Sequence, residues 1–154
     1  MGDGDHRAPV PAAAPFLRLL GTPALMQGGG APRPLGRHDA ALLGILALDG
    51  PTPRTRMAAL LWPDSDARLG RLGLRQRIHK LKRHAGCDLV VGDPMLALAP
   101  EVAHDLATFD SALAADPDAA RGEFLGALDF GDADELGSWV DAARARWRER
   151  RAAR

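Results

Sequence analysis

The chain is short of the side chains on which disulfide-linked, membrane-spanning and most catalytic proteins depend. Its 154 residues include one cysteine, Cys87, and no tyrosine, and aromatic residues make up only 5%. A single cysteine excludes an internal disulfide and fits a reducing compartment. Scarce aromatics leave the core to leucine and alanine, for which a hydrophobic content of 46% suffices. There is no run of ~18 apolar residues to span a membrane, and residues 1–15 lack the apolar stretch of a secretory signal. A soluble, cytoplasmic protein is expected.

Catalytic and metal-binding patterns are missing too. The three serines (Ser65, Ser111 and Ser138) avoid the G-x-S-x-G setting of a hydrolase nucleophile. His6, His38, His79, His84 and His104 show no metal-ligand spacing. Gly28-Gly29-Gly30 is not followed by the Lys-Ser/Thr pair of a phosphate loop. Asp64-Ser65-Asp66 lacks the remaining ligands of a calcium loop. These absences argue against an enzyme, a metal and a cofactor.

What is present is segregated charge. The formal net charge is zero, from 20 Lys or Arg and 20 Asp or Glu. Between Ala31 and Gly86, however, eleven Lys or Arg face four Asp, a net of +7. Between Cys87 and Gly137, Arg121 alone stands against twelve acids, a net of −11. From Ser138 onward six arginines outweigh Asp141 and Glu149, a net of +4. The basic segment is a candidate nucleic-acid surface. The acidic segment, which a nucleic acid would repel, is expected to point away from it.

Residues 1–15, rich in Gly, Pro and Ala, are expected to form a disordered N-terminal arm. Phe16–Leu20 and Ala24–Gln27 read as short strands around Gly21-Thr22-Pro23, with Arg33–Leu35 as a third. Arg37–Leu48 reads as a helix with Ala41, Leu42, Ile45, Leu46 and Leu48 as its apolar set, ended by Gly50-Pro51. Thr52-Pro53 starts the next unit, a helix over Arg54–Leu61, and a third helix follows over Asp66–His84. Asp88–Val91 and Met95–Leu98 flank Gly92-Asp93-Pro94 as a short β-hairpin. This order predicts an α+β winged helix-turn-helix over residues 16–104: a short antiparallel sheet, three helices and a hairpin wing. After Pro100, helices are expected over Asp105–Ala115, Asp118–Leu125 and Glu135–Arg151, so residues 105–154 read as the start of an α-helical segment.

Leu60–Gly86 is the most informative stretch. At ~100° per residue, Leu74, Ile78, Leu81 and Ala85 share one narrow face, the spacing of a buried seam. Arg71, Arg75, Gln76, His79, Lys82 and Arg83 fall beside and opposite it. Pro63 ends the preceding helix at Trp62, and Asp64, Ser65 or Asp66 can cap the next. Gly70 and Gly73 cost that helix ~1 kcal/mol each relative to Ala, and are expected to keep the face between the arginines low enough for a groove wall to approach. A basic helix facing only solvent has the same periodicity. The position before a hairpin, inside the +7 segment, favours DNA.

These residues resemble a family. Phe16-Leu17-Arg18-Leu19-Leu20-Gly21 is similar to the opening of the Streptomyces antibiotic regulatory protein family and related bacterial transcriptional activators. Ala40–Leu48 resembles their first helix, and Leu60-Leu61-Trp62-Pro63-Asp64 their turn into the recognition helix. Leu74-Arg75-Gln76 with Ile78, Leu81, Lys82 and Arg83 resembles that helix itself, and Leu96-Ala97-Leu98, Val102 and Asp105 the wing and exit strand. Arg121–Leu125, Trp139-Val140-Asp141 and Arg144 look like the start of the family's bacterial transcriptional activator domain. The resemblance implies an OmpR/PhoB-type winged helix followed by a TPR-like helical domain, with the third helix in the major groove and the wing on the neighbouring minor groove or backbone. It implies dimers on tandem direct repeats and recruitment of RNA polymerase. Gly73 stands where the family carries Asn or Ser. The helical segment stops after about two helices where the family has several, as expected of a fragment of a longer regulator or of a short form.

Arg71, Arg75, Gln76 and His79 are the candidates for base edges, since Arg and Gln have the bidentate geometry that reads guanine and adenine. Arg68, Lys82 and Arg83 are candidates for phosphate. Arg54, Thr55 and Arg56 begin the second helix, where the dipole favours a phosphate; an ordinary cap by Thr52 or Thr55 fits equally. Trp62 is expected to anchor the core. Trp139 and Trp147 share a helix face, suited to packing in the second segment or to a dimer interface. Arg144–Arg151 suits a partner's acidic segment or a solvated helix end. Two functions fit. One is a sequence-specific DNA-binding transcriptional regulator, nucleoid-associated, with double-stranded DNA, RNA polymerase and a second copy of the chain as partners and no membrane. The other is a winged-helix interaction or dimerisation module of a larger signalling protein with weak or no DNA binding.

Overall fold

The structure, a computed structural model, describes residues 14–116, 118 and 122–153. Residues 1–13 of the arm expected over 1–15 lie outside the described residues, and Pro15 does not belong to it. Pro15 is buried, and its carbonyl accepts the Ala103 amide at 3.1 Å.

The fold is α+β. The elements are β1 (Phe16–Arg18), β2 (Ala24–Met26), β3 (Arg33–Pro34), α1 (Arg37–Asp49), β4 (Thr52–Pro53), α2 (Arg54–Leu61), α3 (Ala67–Ala85), β5 (Val90–Val91), β6 (Met95–Leu98), β7 (Ala103–His104), α4 (Phe109–Ala115) and α5 (Glu135–Ala152). One sheet has the order β3-β2-β1-β7, with β1 antiparallel to β2 (Leu17 opposite Leu25) and parallel to β7 (Phe16 opposite Ala103). The other has the order β4-β6-β5, with Thr52 opposite Leu96 and Val90 opposite Leu98. Strand β4 is invisible to periodicity because it has two residues and one is proline. Proline is tolerated there because β4 is an edge strand.

α1 is buried continuously from Asp39 to Leu46. Its sequence is apolar on every side, and such a helix must be surrounded. One hydrophobic cluster joins it to Leu17, Leu61, Leu74 and Leu96, and also to Phe109, Phe124 and Trp147 from the acidic and C-terminal stretches.

One helix expectation is shortened here and another fails. The helix expected from Asp105 starts only at Phe109, because Asp105 is committed elsewhere: its carboxylate accepts the amides of Leu19 at 2.8 Å and Leu20 at 3.0 Å. The helix expected over Asp118–Leu125 is absent where it is described. Asp118 sits in a turn, and Phe124 forms an antiparallel bridge with Leu20. Gly21 donates to the Glu123 carbonyl at 2.9 Å, and Leu125 to the Leu19 carbonyl at 2.7 Å. A Cβ at Gly122 would collide with the backbone of Gly21, so only glycine permits this approach. Long-range backbone pairing thus overrides local helix propensity.

α5 holds the loop down. Arg144 donates to the carbonyls of Phe124 (2.9 Å), Gly126 (3.2 Å) and Leu128 (2.8 Å), satisfying groups that no helix pairs. Arg151 donates to the Gly122 carbonyl at 2.6 Å, Arg148 pairs with Glu123 at 3.0 Å and Arg150 with Asp110 at 3.3 Å. The arginines expected to meet a partner or solvent are therefore largely occupied within the chain. Trp147 is buried edge-on to Phe109, with centroids 4.9 Å apart. Trp139 packs against Phe124 and donates to Asp49 at 2.8 Å.

Phe124→Ala should lower unfolding free energy by about 3–5 kcal/mol, and far-UV circular dichroism and tryptophan fluorescence should shift together in urea. Separate transitions, with only one displaced, would show that this loop does not belong to the common core. Burial holds the Asp105 carboxyl above the ordinary carboxylate range despite the two amides it accepts. Its contribution to stability is therefore full below the ordinary pKa and is lost as pH rises through the raised value. Relative to wild type, Asp105→Asn should gain in urea midpoint as pH rises through that window; a constant difference would contradict the assignment.

Candidate nucleic-acid interface

α3 is positioned from one side. Leu74, Leu81 and Ala85 are buried and Ile78 partly so, as the seam predicts. Of the three possible caps Asp66 serves, its Oδ1 accepting the Leu69 amide at 2.9 Å. Gly86 closes the helix at φ 72°, the left-handed conformation that glycine adopts freely. Gln27 Nε2 donates to the Ala85 carbonyl at 2.7 Å.

Arg77 flanks this seam. Its Nε and Nη2 donate to Asp39 Oδ1 and Oδ2 of α1 at 2.9 and 2.7 Å. Asp39 is only 8% exposed, and this bidentate pairing outweighs burial in raising the guanidinium's pKa. One of the cations in the basic segment is therefore neutralised inside the fold. The signal was available, since Arg77 lies three residues after Leu74 and four before Leu81.

The two glycines face inward, contrary to expectation. Gly70 is buried against Ala58 of α2. Gly73 lies against Trp62, where a Cβ would come within 3.1 Å of ring atoms Cε2 and Cζ2. Trp62 also stacks on His38 of α1, with centroids 4.9 Å apart and planes 11° apart. Gly73 therefore makes room for the ring that joins α1, α2 and α3, not for a groove wall.

The outer arc carries the predicted site residues. Arg68, Arg71, Arg75, Gln76, His79, Lys82 and Arg83 are all exposed. Arg68, Arg71, Leu72 and Arg75 line an open depression with Arg54 of α2. Arg54 and Arg75 continue into a second, with Ile78, His79, Lys82 and Asp93. Arg68, Arg71, Arg75, His79 and Lys82 thus form one stripe, spaced by three or four residues, with Arg54 beside it. Gln76 and Arg83 lie further round and line neither depression. Thr55 faces an adjoining cleft with Trp62, Gly70 and Arg71. Arg56 turns to α5, 2.8 Å from Glu135.

The start of α2 has no side-chain cap. Thr52 instead donates to the Gly50 carbonyl at 3.0 Å, and the Arg54 amide donates to the Pro94 carbonyl at 2.8 Å. The Arg54 side chain is 25% exposed, and its buried Nε has no hydrogen-bond partner among the described residues. That atom lies 3.7 Å from Asp93 Oδ1, an ion-pair distance and not a hydrogen bond.

The acidic segment does not stay clear of this surface. Asp93 reaches Arg54, Glu135 reaches Arg56, and Asp88 lies 3.3 Å from Lys82. Exposed pairs such as Lys82 with Asp88 contribute ~0–1 kcal/mol and are screened by salt, so they exchange readily for other anions. Arg68, Arg71, Arg75 and Arg83 meet no acid among the described residues.

The described residues contain no group of three metal-ligating side chains and no helix long and apolar enough to cross a membrane. No protein-family model, curated protein or solved structure matches the chain.

The α3 arginines divide into one structural member and several exposed ones. Arg77→Ala leaves the Asp39 carboxylate buried without its cation and should cost about 2 kcal/mol. Arg75→Ala should leave the thermal midpoint nearly unchanged. Equal effects in thermal melts would refute this division.

Proposed function

We propose that the chain is a sequence-specific DNA-binding transcriptional regulator of winged helix-turn-helix architecture. In this reading α3 enters the major groove, and the β5–β6 hairpin lies on the adjacent backbone or minor groove. The carrying observation is the stripe of Arg68, Arg71, Arg75, His79 and Lys82 on α3, with Arg54 at its side and its central arginines free of acids among the described residues. An α-helix fits the major groove, ~12 Å wide. The partly exposed Arg54 guanidinium, 3.7 Å from Asp93, can exchange that carboxylate for a phosphate oxygen.

Roles divide by chemistry. Arg71, Arg75, Gln76 and His79 are assigned to base edges, and Arg54, Thr55, Arg56, Arg68, Lys82 and Arg83 to the backbone. Arg56 and Lys82 exchange a weak carboxylate pair for phosphate on binding. The resemblance to the antibiotic regulatory family extends the proposal to homodimers on direct repeats and to contact with RNA polymerase.

Fluorescence anisotropy on genomic fragments should show binding that weakens steeply with salt, with a log–log slope of several units. Lys82→Ala should weaken all sequences alike and reduce that slope by about one, whereas Arg75→Ala should flatten discrimination between sites. Absence of binding at low salt, together with a tight dimer in light scattering, would put the protein-interaction reading in its place.

A further inference from the structure

The described residues expose three large hydrophobic side chains: Leu69 at 50%, Leu72 at 46% and Met95 at 45%. Leu69 and Leu72 are one turn apart in the first half of α3, and Met95 pairs with Pro53, the residue before Arg54. Leu72 itself lines the depression formed with Arg54, Arg68, Arg71 and Arg75. A lone exposed leucine on a helix is ordinary. Here it shares one depression with four arginines, Arg54, Arg68, Arg71 and Arg75.

Charge complementarity selects the occupant. Four arginines around one apolar side chain suit a polyanion that offers an apolar group between hydrogen-bond acceptors and phosphates. The major-groove edge of a thymine beside a guanine is such a surface: the thymine presents a C5-methyl group, and the guanine presents O6 and N7 to an arginine. Resting on the DNA-binding reading above, we infer that Leu72 reads the C5-methyl of a thymine next to a base read by Arg71 or Arg75. Leu72 is then a specificity-determining residue, and the preferred sites contain an obligatory thymine.

The test isolates one methyl group. Duplexes recovered from a random pool by the full chain are re-synthesised with each thymine in turn replaced by deoxyuracil, which removes the C5-methyl and keeps base pairing. One replacement should weaken wild-type binding about fourfold, the worth of one methyl group withdrawn from water. Leu72→Ala, at an exposed helical position where alanine is well tolerated, should bind the thymine and deoxyuracil duplexes equally. It should also match wild type in thermal midpoint. A recovered site without thymine, insensitivity to every replacement, or an unchanged thymine-to-uracil ratio in Leu72→Ala would overturn the inference while leaving DNA binding intact. Recovery of no duplex at low salt would overturn the DNA-binding reading itself, and this inference with it.

Discussion

The bidentate pair between Arg77 and Asp39 sets the rotation of α3 about its own axis, and the outer surface depends on that setting. Asp39 lies within the buried run of α1, where an unpaired carboxylate would be costly. Arg77 supplies the cation from the edge of the Leu74–Leu81 seam. Turning α3 by one residue would break both hydrogen bonds and carry a neighbouring polar side chain toward the core. Removing one partner of such a part-buried pair strands the other charge, so the pair holds α1 and α3 in this one register. Trp62 adds a second constraint, held between His38 and Gly73. Together they leave Arg68, Arg71, Arg75 and Lys82 no route inward.

A neutral chain presents a basic stripe because its charges are sorted by position. Acids from the hairpin and from the start of α5 pair with cations at the margins, Arg54, Arg56 and Lys82. The centre of the stripe stays unneutralised among the described residues. Pairs in high dielectric are weak, so the margins hold no large barrier against a competing polyanion. The potential over the surface is therefore governed by where the acids sit, not by the overall sum of zero.

The acidic and C-terminal stretches close the core as well as balancing the charge. Phe124 and Leu125 cover α1 at Gly44, the Leu20–Phe124 bridge ties the loop to the first sheet, and Arg144 satisfies three of the loop's carbonyls. None of this was legible locally. The stretch around Asp118–Leu125 contains good helix formers, and the path of Gly122–Leu125 depends on Gly21, about a hundred positions earlier in the chain. The same holds for Asp105, which reads as a helix start and instead accepts the amides at the end of β1.

By itself the sequence determined the elements that rest on local rules. Arg54–Leu61 forms a helix, and the third helix and the hairpin lie within a residue or two of expectation, because periodicity, an Asp cap, Gly86 and the Gly-Asp-Pro turn act over short distances. It also marked which side of α3 would be buried. Tertiary structure alone decided how the cations were used. It sent Arg77 to Asp39, turned Gly70 and Gly73 toward α2 and Trp62, brought Arg54 beside Arg71 and Arg75, and left Leu72 outside among them. The reason is physical: a helical period fixes the angle between residues on one helix, whereas the partner each side chain meets depends on other elements whose approach no local pattern encodes.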